Sequence, residues 1–280
     1  MLLEVLEEPL LHSVRDALSE DIGTGDITAA LIPAHASADA IVISRQPAIL
    51  CGMAWFNAVF AELDTRITVH WDCRDGETIR AGQTLCALHG PAARILTGER
   101  TALNFLQTLS GTATVAHKYA DAVKGLTVKV LDTRKTLPGL RQAQKYAVRV
   151  GGCHNHRIGL YDGILIKENH IAAAGSIERA VHAARKARPD IAVEVEVENE
   201  GQITEALAAG ADILLLDNFS VEALRRAVRL TAGRIRLEAS GGVTLENIRD
   251  IAQTGVDFIS IGALTKNLHA IDLSMQFTIY

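Results

Sequence analysis

The sequence predicts an α/β protein made of two differently textured parts, and three observations carry that expectation. From Val128 onward, short apolar strands alternate with amphipathic helical stretches, the pattern of a parallel sheet covered by helices. Ahead of that repeat, helices and strands are mixed without a regular alternation. The chain has 280 residues and 48% apolar content, enough for one large core or for one core and a smaller domain.

Taken in order, the first part opens with a short helix near Leu11–Leu18, then a glycine-rich loop, EDIGTGDIT, then strands around Ala40–Ser44 and Ile67–Trp71. The stretch DGETIRAGQTLCAL, from Asp75, reads as a tight hairpin turning at Gly76 and Gly82. A helical pattern follows from Thr97 to Lys124, with Gly111 as the place where it would break. The repeat then begins: VKVLDT, GILIK, IAVEVEV, DILLLD, RIRLEAS and DFISIG end near residues 133, 167, 197, 217, 239 and 262, the later ones 20, 22 and 23 residues apart. That is compact βα spacing. Six strands are fewer than the eight of a full barrel, so a doubly wound sheet and a barrel both fit the residues alone.

In either architecture, groups that act on ligands collect at the C-terminal ends of the strands. Those ends carry Arg134 and Lys135, Lys167, Glu196, Asp217, Ser240-Gly241-Gly242 and Gly262-Ala263. A net charge of −5 argues against nucleic acid or a membrane surface as partner. Yet between Arg134 and Lys167 there are seven Lys or Arg and a single acid, Asp162, so the basic site is local. Within that run Arg141, Lys145 and Arg149 recur every four residues and read as a solvated helix face. Arg134, Lys135 and Lys167 terminate strands, where no such face exists.

In IAVEVEVENE the two-residue period places Val193, Val195 and Val197 on one face and Glu194, Glu196 and Glu198 on the other. The valines belong against covering helices, so the glutamates point inward and need cations, because an unpaired buried carboxylate is very costly. Lys135, Lys167 or a divalent metal would serve, and Asp217 adds a hard oxygen ligand suited to Mg2+. GGCHNHRIGL offers His154, His156 and Arg157, read as a metal pair or as anion contacts, with the surrounding cations favouring anions. Lys167 and His170 of KENH also suit a Schiff-base lysine, a reaction of another class. Neither GxxxxGK[ST] nor GxGxxG is present, which argues against the usual ATP and NAD sites. The scattered Cys51, Cys73, Cys86 and Cys153 form no CxxC pair and read as reduced thiols. MLLEVLEEPLL lacks the basic start of a signal peptide, and no apolar run reaches the roughly 18 residues of a membrane span, so a cytoplasmic protein is expected.

GERTALN, DTRKTLPGLR, QKYAV, the loop GGCHNHRIGL, IKENH, EVEVEN, LLLDN, SGG and GALT, in this order, closely resemble the quinolinate phosphoribosyltransferase family from EDIGTGDIT to DLSM. The resemblance implies an N-terminal α/β sandwich over 1–113, rejoined by 266–280, and an incomplete α/β barrel over 114–265 that holds the active site. It implies Mg2+-dependent phosphoribosyl transfer from phosphoribosyl pyrophosphate to quinolinate with decarboxylation, in a homodimer or a dimer-based hexamer. Related phosphoribosyltransferases of the molybdenum-operon or nicotinate-specific type would share the fold without that decarboxylation, and a lysine-dependent barrel lyase is the more distant alternative. By resemblance, Arg134, Arg157 and Lys167, with Thr133 and His156, bind quinolinate, joined by Arg100 from the neighbouring subunit. Lys135 contacts phosphoribosyl pyrophosphate, Glu196 and Asp217 bind its ribose hydroxyls or Mg2+, and Ser240, Gly241, Gly242, Gly262 and Ala263 offer N–H groups to the 5-phosphate. The family usually has a third glycine where this chain has Cys153.

Overall fold

The computed structural model describes residues 7–280; residues 1–6, part of the stretch read as lacking a signal peptide, lie outside the described residues. The chain runs through α1 (Glu7–Ile22), β1 (Ser37–Ser44), β2 (Ala48–Ile49), α2 (Met53–Leu63), β3 (Thr68–Trp71), β4 (Thr78–Ile79), β5 (Thr84–Pro91) and α3 (Ala92–Ala122). Then come β6 (Lys129–Leu131), α4 (Arg141–Val150), β7 (Ile164–Ile166), α5 (Glu168–Ala174), α6 (Ile177–Ala187), β8 (Val193–Val197), α7 (Glu200–Ala208) and β9 (Ile213–Asp217). The last elements are α8 (Val221–Thr231), β10 (Arg236–Ser240), α9 (Ile248–Ala252), β11 (Phe258–Ser260), α10 (Ala263–Lys266) and β12 (Leu273–Ile279). Two compact units result: the chain up to His117 with Thr136–Gly152 and Leu264–Tyr280, and Lys118–Lys135 with Cys153–Ala263.

The first unit is an antiparallel sheet in the order β12-β1-β5-β3 with helices packed on it. α1 buries Leu10, Val14 and Leu18, one side chain per turn, and α2 contributes Trp55, Phe56, Val59 and Phe60 to the same core. The segment from Asp75 is not a hairpin. After the turn at Gly76, β4 pairs with β2 through Ala48↔Ile79 and Ile49↔Thr78, while β5 joins the larger sheet. Nor does α3 break at Gly111: a Cβ there would overlap the carbonyl oxygen of His269, so the glycine serves a close backbone approach. The stretch Thr136–Gly152, counted with the barrel on sequence, lies in this unit because α4 buries Ala143, Tyr146 and Ala147 in its core. Lys145 corrects a second expectation: it is 2% exposed and no part of a solvated face, whereas Arg149 is exposed.

The second unit holds six parallel strands in the order β6-β11-β10-β9-β8-β7. Each strand from β8 to β11 pairs with its predecessor, and β11 turns back to pair with β6. Among the described residues no ladder joins β6 to β7, so the sheet is a barrel with one open seam. Helices α6, α7 and α8 begin at Ser176, Asn199 and Ser220, whose side chains accept the N–H groups of Arg179, Gln202 and Ala223. These caps start each helix directly after its loop and keep the strand ends on one rim. The four cysteines are buried thiols. Among the described residues no helix is long and apolar enough to cross a membrane.

Candidate active site

Strand β8 alternates as its sequence requires. Val193, Val195 and Val197 are fully buried, and on the opposite face Glu194 is buried and Glu196 half-buried. The ammonium of Lys167, at the end of β7, sits against Oε2 of Glu196, so the inward carboxylate has a cation. His170 is not part of that pair; its Nδ1 accepts the Lys167 backbone N–H at 3.0 Å in the first turn of α5. In the β8–β9 register Glu196 lies beside Leu215, which places Asp217 one two-residue step nearer the rim on the same face. Asn218 Nδ2 donates to Asp217 Oδ2 at 2.8 Å, and Asn218 N donates to Ser240 O at 2.8 Å. Asn218 has φ 55°, and Gly241 next to it has φ 91°.

A loop lines the β6 margin of the open seam. His154 bridges to Leu131 in parallel fashion, with His154 N donating to Val130 O at 2.8 Å and Asp132 N donating to His154 O at 3.0 Å. The wholly buried Asp132 then accepts the His156 backbone N–H at 2.9 Å and the Asn155 amide at 2.6 Å. Asp162 accepts the N–H groups of Ile158 and Gly159, and Arg157 Nη1 donates to Gly163 O at 3.0 Å. Arg157 is thereby set against Arg134. Burial first, and the Arg134 guanidinium second, push the Arg157 pKa down, while Glu194 and Asp162 pull the other way. Arg134 Nε is buried and has no hydrogen-bond partner. Two guanidiniums held together, one with an unused buried donor, make a receptor for an anion. The buried thiol of Cys153, pushed up to about 12 by burial and then by Asp132, is unreactive packing beneath the loop.

At the β6–β11 junction Lys135 N donates to Thr133 Oγ1 at 3.1 Å, and a Cβ on Gly262 would stand 3.0 Å from Lys135 Cδ and 3.7 Å from Thr133 Oγ1. Around the rim the second unit therefore groups Thr133, Lys135 and Gly262; then Arg134 and Arg157; then Lys167 and Glu196; then Asp217, Ser240 and Gly241. Gly242 is exposed and Ala263 half-buried at the same strand ends. Arg100 lies exposed on α3 within the first unit.

Deeper in the barrel is a cluster the sequence reading only half anticipated. His156 Nε2 lies 2.9 Å from Glu194 Oε2 and 3.5 Å from Glu238 Oε2, and Oε1 of each glutamate is buried without a partner. His156 Nδ1 meanwhile accepts the Arg157 backbone N–H at 2.8 Å, so both ring nitrogens have partners within the chain. Among the described residues these three form the group of possible metal ligands that lie close together; Glu196 and Asp217 belong to no such group. Asp132 and Glu238 were missed. Glu238 carried a signal, since the period of two that turns Ser240 inward turns Glu238 inward as well. Asp132 carried none, because its partners are backbone and side-chain groups of a loop more than twenty residues away.

A rim with paired guanidiniums on one arc and carboxylates beside glycine turns on the other defines an enzyme for small polyanions, built on an open α/β barrel. Comparison with known proteins makes the class specific. Family profiles described as quinolinate phosphoribosyl transferase, N-terminal domain, and the corresponding C-terminal domain match residues 26–110 and 112–276. Nicotinate-nucleotide pyrophosphorylase (carboxylating) of Mycobacterium leprae is 42% identical over 273 residues, covering 94% of this chain and 95% of that protein. Quinolinate phosphoribosyltransferase (decarboxylating) 2a, mitochondrial, of Nicotiana tabacum is 39% identical over 281 residues, covering 93% and 80%. The solved nicotinate-nucleotide pyrophosphorylase from Francisella tularensis superposes with a TM-score of 0.93 at 49% identity, covering 97% of this chain and 96% of that one. The chain belongs to the quinolinate phosphoribosyltransferase family, and it is a phosphoribosyltransferase.

Proposed function

We propose that this chain transfers the phosphoribosyl group of phosphoribosyl pyrophosphate to quinolinate in NAD synthesis, with loss of carbon dioxide, giving nicotinate mononucleotide and pyrophosphate. The observation that carries the reading is the buried, unpartnered Nε of Arg134 in a region where the Arg157 guanidinium is near enough to repel it, an arrangement that suits a dicarboxylate. Lys167 adds a third cation, and Arg100 of a neighbouring subunit a fourth, in a dimer or an assembly of dimers. Thr133 and Lys135 line the adjoining arc, where Lys135 takes the diphosphate. The N–H groups of Ser240, Gly241, Gly242, Gly262 and Ala263 take the 5-phosphate, as glycine turns at strand ends do in such barrels.

Glu196 and Asp217 face the ribose. As hard oxygen donors outside any three-ligand cluster, they suit a Mg2+ that keeps water and substrate phosphates as its other ligands. Bound there, Mg2+ supplies charge neutralisation on the departing pyrophosphate. The chain's own groups do the rest: the cations hold the pyridine ring with its nitrogen toward the anomeric carbon, and the carboxylates stabilise the oxocarbenium-like charge that grows as the bond to pyrophosphate breaks. Once the ring nitrogen is quaternary it draws electrons from the adjacent carbon, which releases its carboxylate as carbon dioxide and then takes a proton.

Lys167 supports this reading over imine chemistry, because its ammonium is ion-paired with Glu196 and half exposed, not enclosed in an apolar pocket. The test is direct. Protein, Mg2+, phosphoribosyl pyrophosphate and quinolinate should release carbon dioxide and form a mononucleotide in equal amounts. Turnover of nicotinate without carbon dioxide release would assign a non-decarboxylating paralogue, and a borohydride-stable adduct a lyase.

A further inference from the structure

We infer that Glu194, backed by Glu238, is a positioning residue for Arg157: it holds His156 at Nε2, and His156 in turn fixes the Arg157 backbone through Nδ1. The inference rests on the proposed role of Arg157 as a holder of the substrate carboxylate. A ring nitrogen that accepts an N–H carries no hydrogen. His156 Nδ1 accepts from Arg157 N at 2.8 Å, so the ring proton is on Nε2, directed at Glu194 Oε2 at 2.9 Å with Glu238 Oε2 at 3.5 Å. The opposite tautomer would set Nδ1–H against the Arg157 N–H and drive the loop off the seam.

The surroundings of the pair explain why both glutamates stay. Glu194 is 5% and Glu238 1% exposed, so both carboxyls lie out of reach of bulk water. Glu238 meets Glu194 from β8, Ser260 from β11 and His156 from the loop, and it pairs along the sheet with Leu215 of β9. Burial first and Glu194 second push the Glu238 pKa up to about 7, while His156 pulls the other way. The orphaned Oε1 atoms are the cost, and a cost of this kind at a site packed against the substrate arc fits a positioning device better than a stabilising one.

The experiment compares Glu194→Leu, Glu194→Gln and Arg157→Ala in the full chain. Glu194→Leu should raise KM for quinolinate roughly ten- to hundredfold, as small misplacements of a binding group do, with KM for phosphoribosyl pyrophosphate changed less than about twofold. Glu194→Gln, which keeps an acceptor for Nε2–H, should recover most of that loss. If Arg157→Ala loses quinolinate affinity and Glu194→Leu does not, or if both KM values rise together, the inference alone is overturned. If Arg157→Ala binds quinolinate normally, the reading of Arg157 fails and takes the inference with it. The ring 15N signals of His156 give an answer independent of turnover and of how the leucine variant folds: a neutral Nε2–H ring is expected. An Nδ1–H ring, an imidazolium, or stoichiometric zinc or manganese in the purified protein would overturn it.

Discussion

Substituting Gly241 and Gly242 separately by alanine should divide the stability of the last loops from their chemistry. Both glycines have left-handed backbones, with φ 91° and 60°, so either alanine costs about 1–2 kcal/mol from backbone strain. The neighbourhoods differ. A Cβ on Gly242 meets nothing within 4 Å, whereas one on Gly241 overlaps Asn218 Oδ1 and stands 2.6 Å from Asn218 Cγ. Asn218 can relieve that overlap only by swinging its amide off Asp217 Oδ2, at a further loss of about 1–2 kcal/mol for a hydrogen bond to a charged group. Urea midpoints should therefore place Gly241→Ala about 2–4 kcal/mol and Gly242→Ala about 1–2 kcal/mol below the parent. Kinetics should show kcat falling for Gly241→Ala, because Asp217 loses its anchor, and KM for phosphoribosyl pyrophosphate rising for Gly242→Ala, because its methyl enters the space assigned to the 5-phosphate. Adding Asn218→Gly to Gly241→Ala should cost little further stability, since the Asn218–Asp217 hydrogen bond is already lost and neighbouring substitutions that share one loss are not additive. Equal losses for the two alanines, or a full further loss on removing the Asn218 side chain, would refute the reasoning.

Three further outcomes are expected. Asp217→Ala and Glu196→Ala should each cut kcat at least about a hundredfold while calorimetry shows quinolinate affinity within a few-fold of the parent, since removing a group that acts in the transition state costs on that order; an equal loss of quinolinate affinity would move both carboxylates to the other substrate. Lys167→Ala should abolish quinolinate binding and Lys167→Arg should keep part of it, because the role is charge; binding by Lys167→Ala in calorimetry would contradict this. Arg100→Ala and Lys135→Ala proteins should each be nearly inactive, yet co-expressed chains should recover roughly a quarter of parental activity per site, as each mixed dimer holds one intact site. Absence of recovery, with mixed dimers isolated, would place Arg100 in its own subunit's site.

What the sequence revealed and what it concealed follow a physical division. The βα repeat was legible because buried parallel strands must be apolar almost throughout, and IAVEVEV and DILLLD advertise both the face and the rim position of Glu196 and Asp217. The cations at strand ends were legible for the same reason. Pairing partners were not: β4 looks like half of a hairpin with β5, but its hydrogen bonds go to β2, about thirty residues earlier, and local turn chemistry at Gly76 does not encode that choice. Lys145 misled because a repeat of four residues says which side chains share a helix face but not whether that face meets water, and α4 is covered around much of its circumference. Asp132 was hidden because its partners lie on the loop at the seam, which no period describes, whereas Glu238 was legible from the same two-residue period that turns Ser240 inward.

That seam has a consequence for how such an enzyme can change. The β6 margin is lined by the peptide at His154, two and three residues ahead of the side chains that face His156's glutamates and the substrate arc. On the proposed reading, the loop that lies along β6 at this margin is also the one that chooses the acceptor. On the same reading, a ligand held by Arg134 and Arg157 would tie the two free margins of the sheet together, and occupancy would strengthen the barrel by about 2.7 kcal/mol at a hundredfold excess over Kd if only the folded form binds. Selection for a new acceptor would have to work on the same few residues that line the seam, and variants that loosen the pocket would be paid for in the lifetime of the empty protein before any change in catalysis was felt.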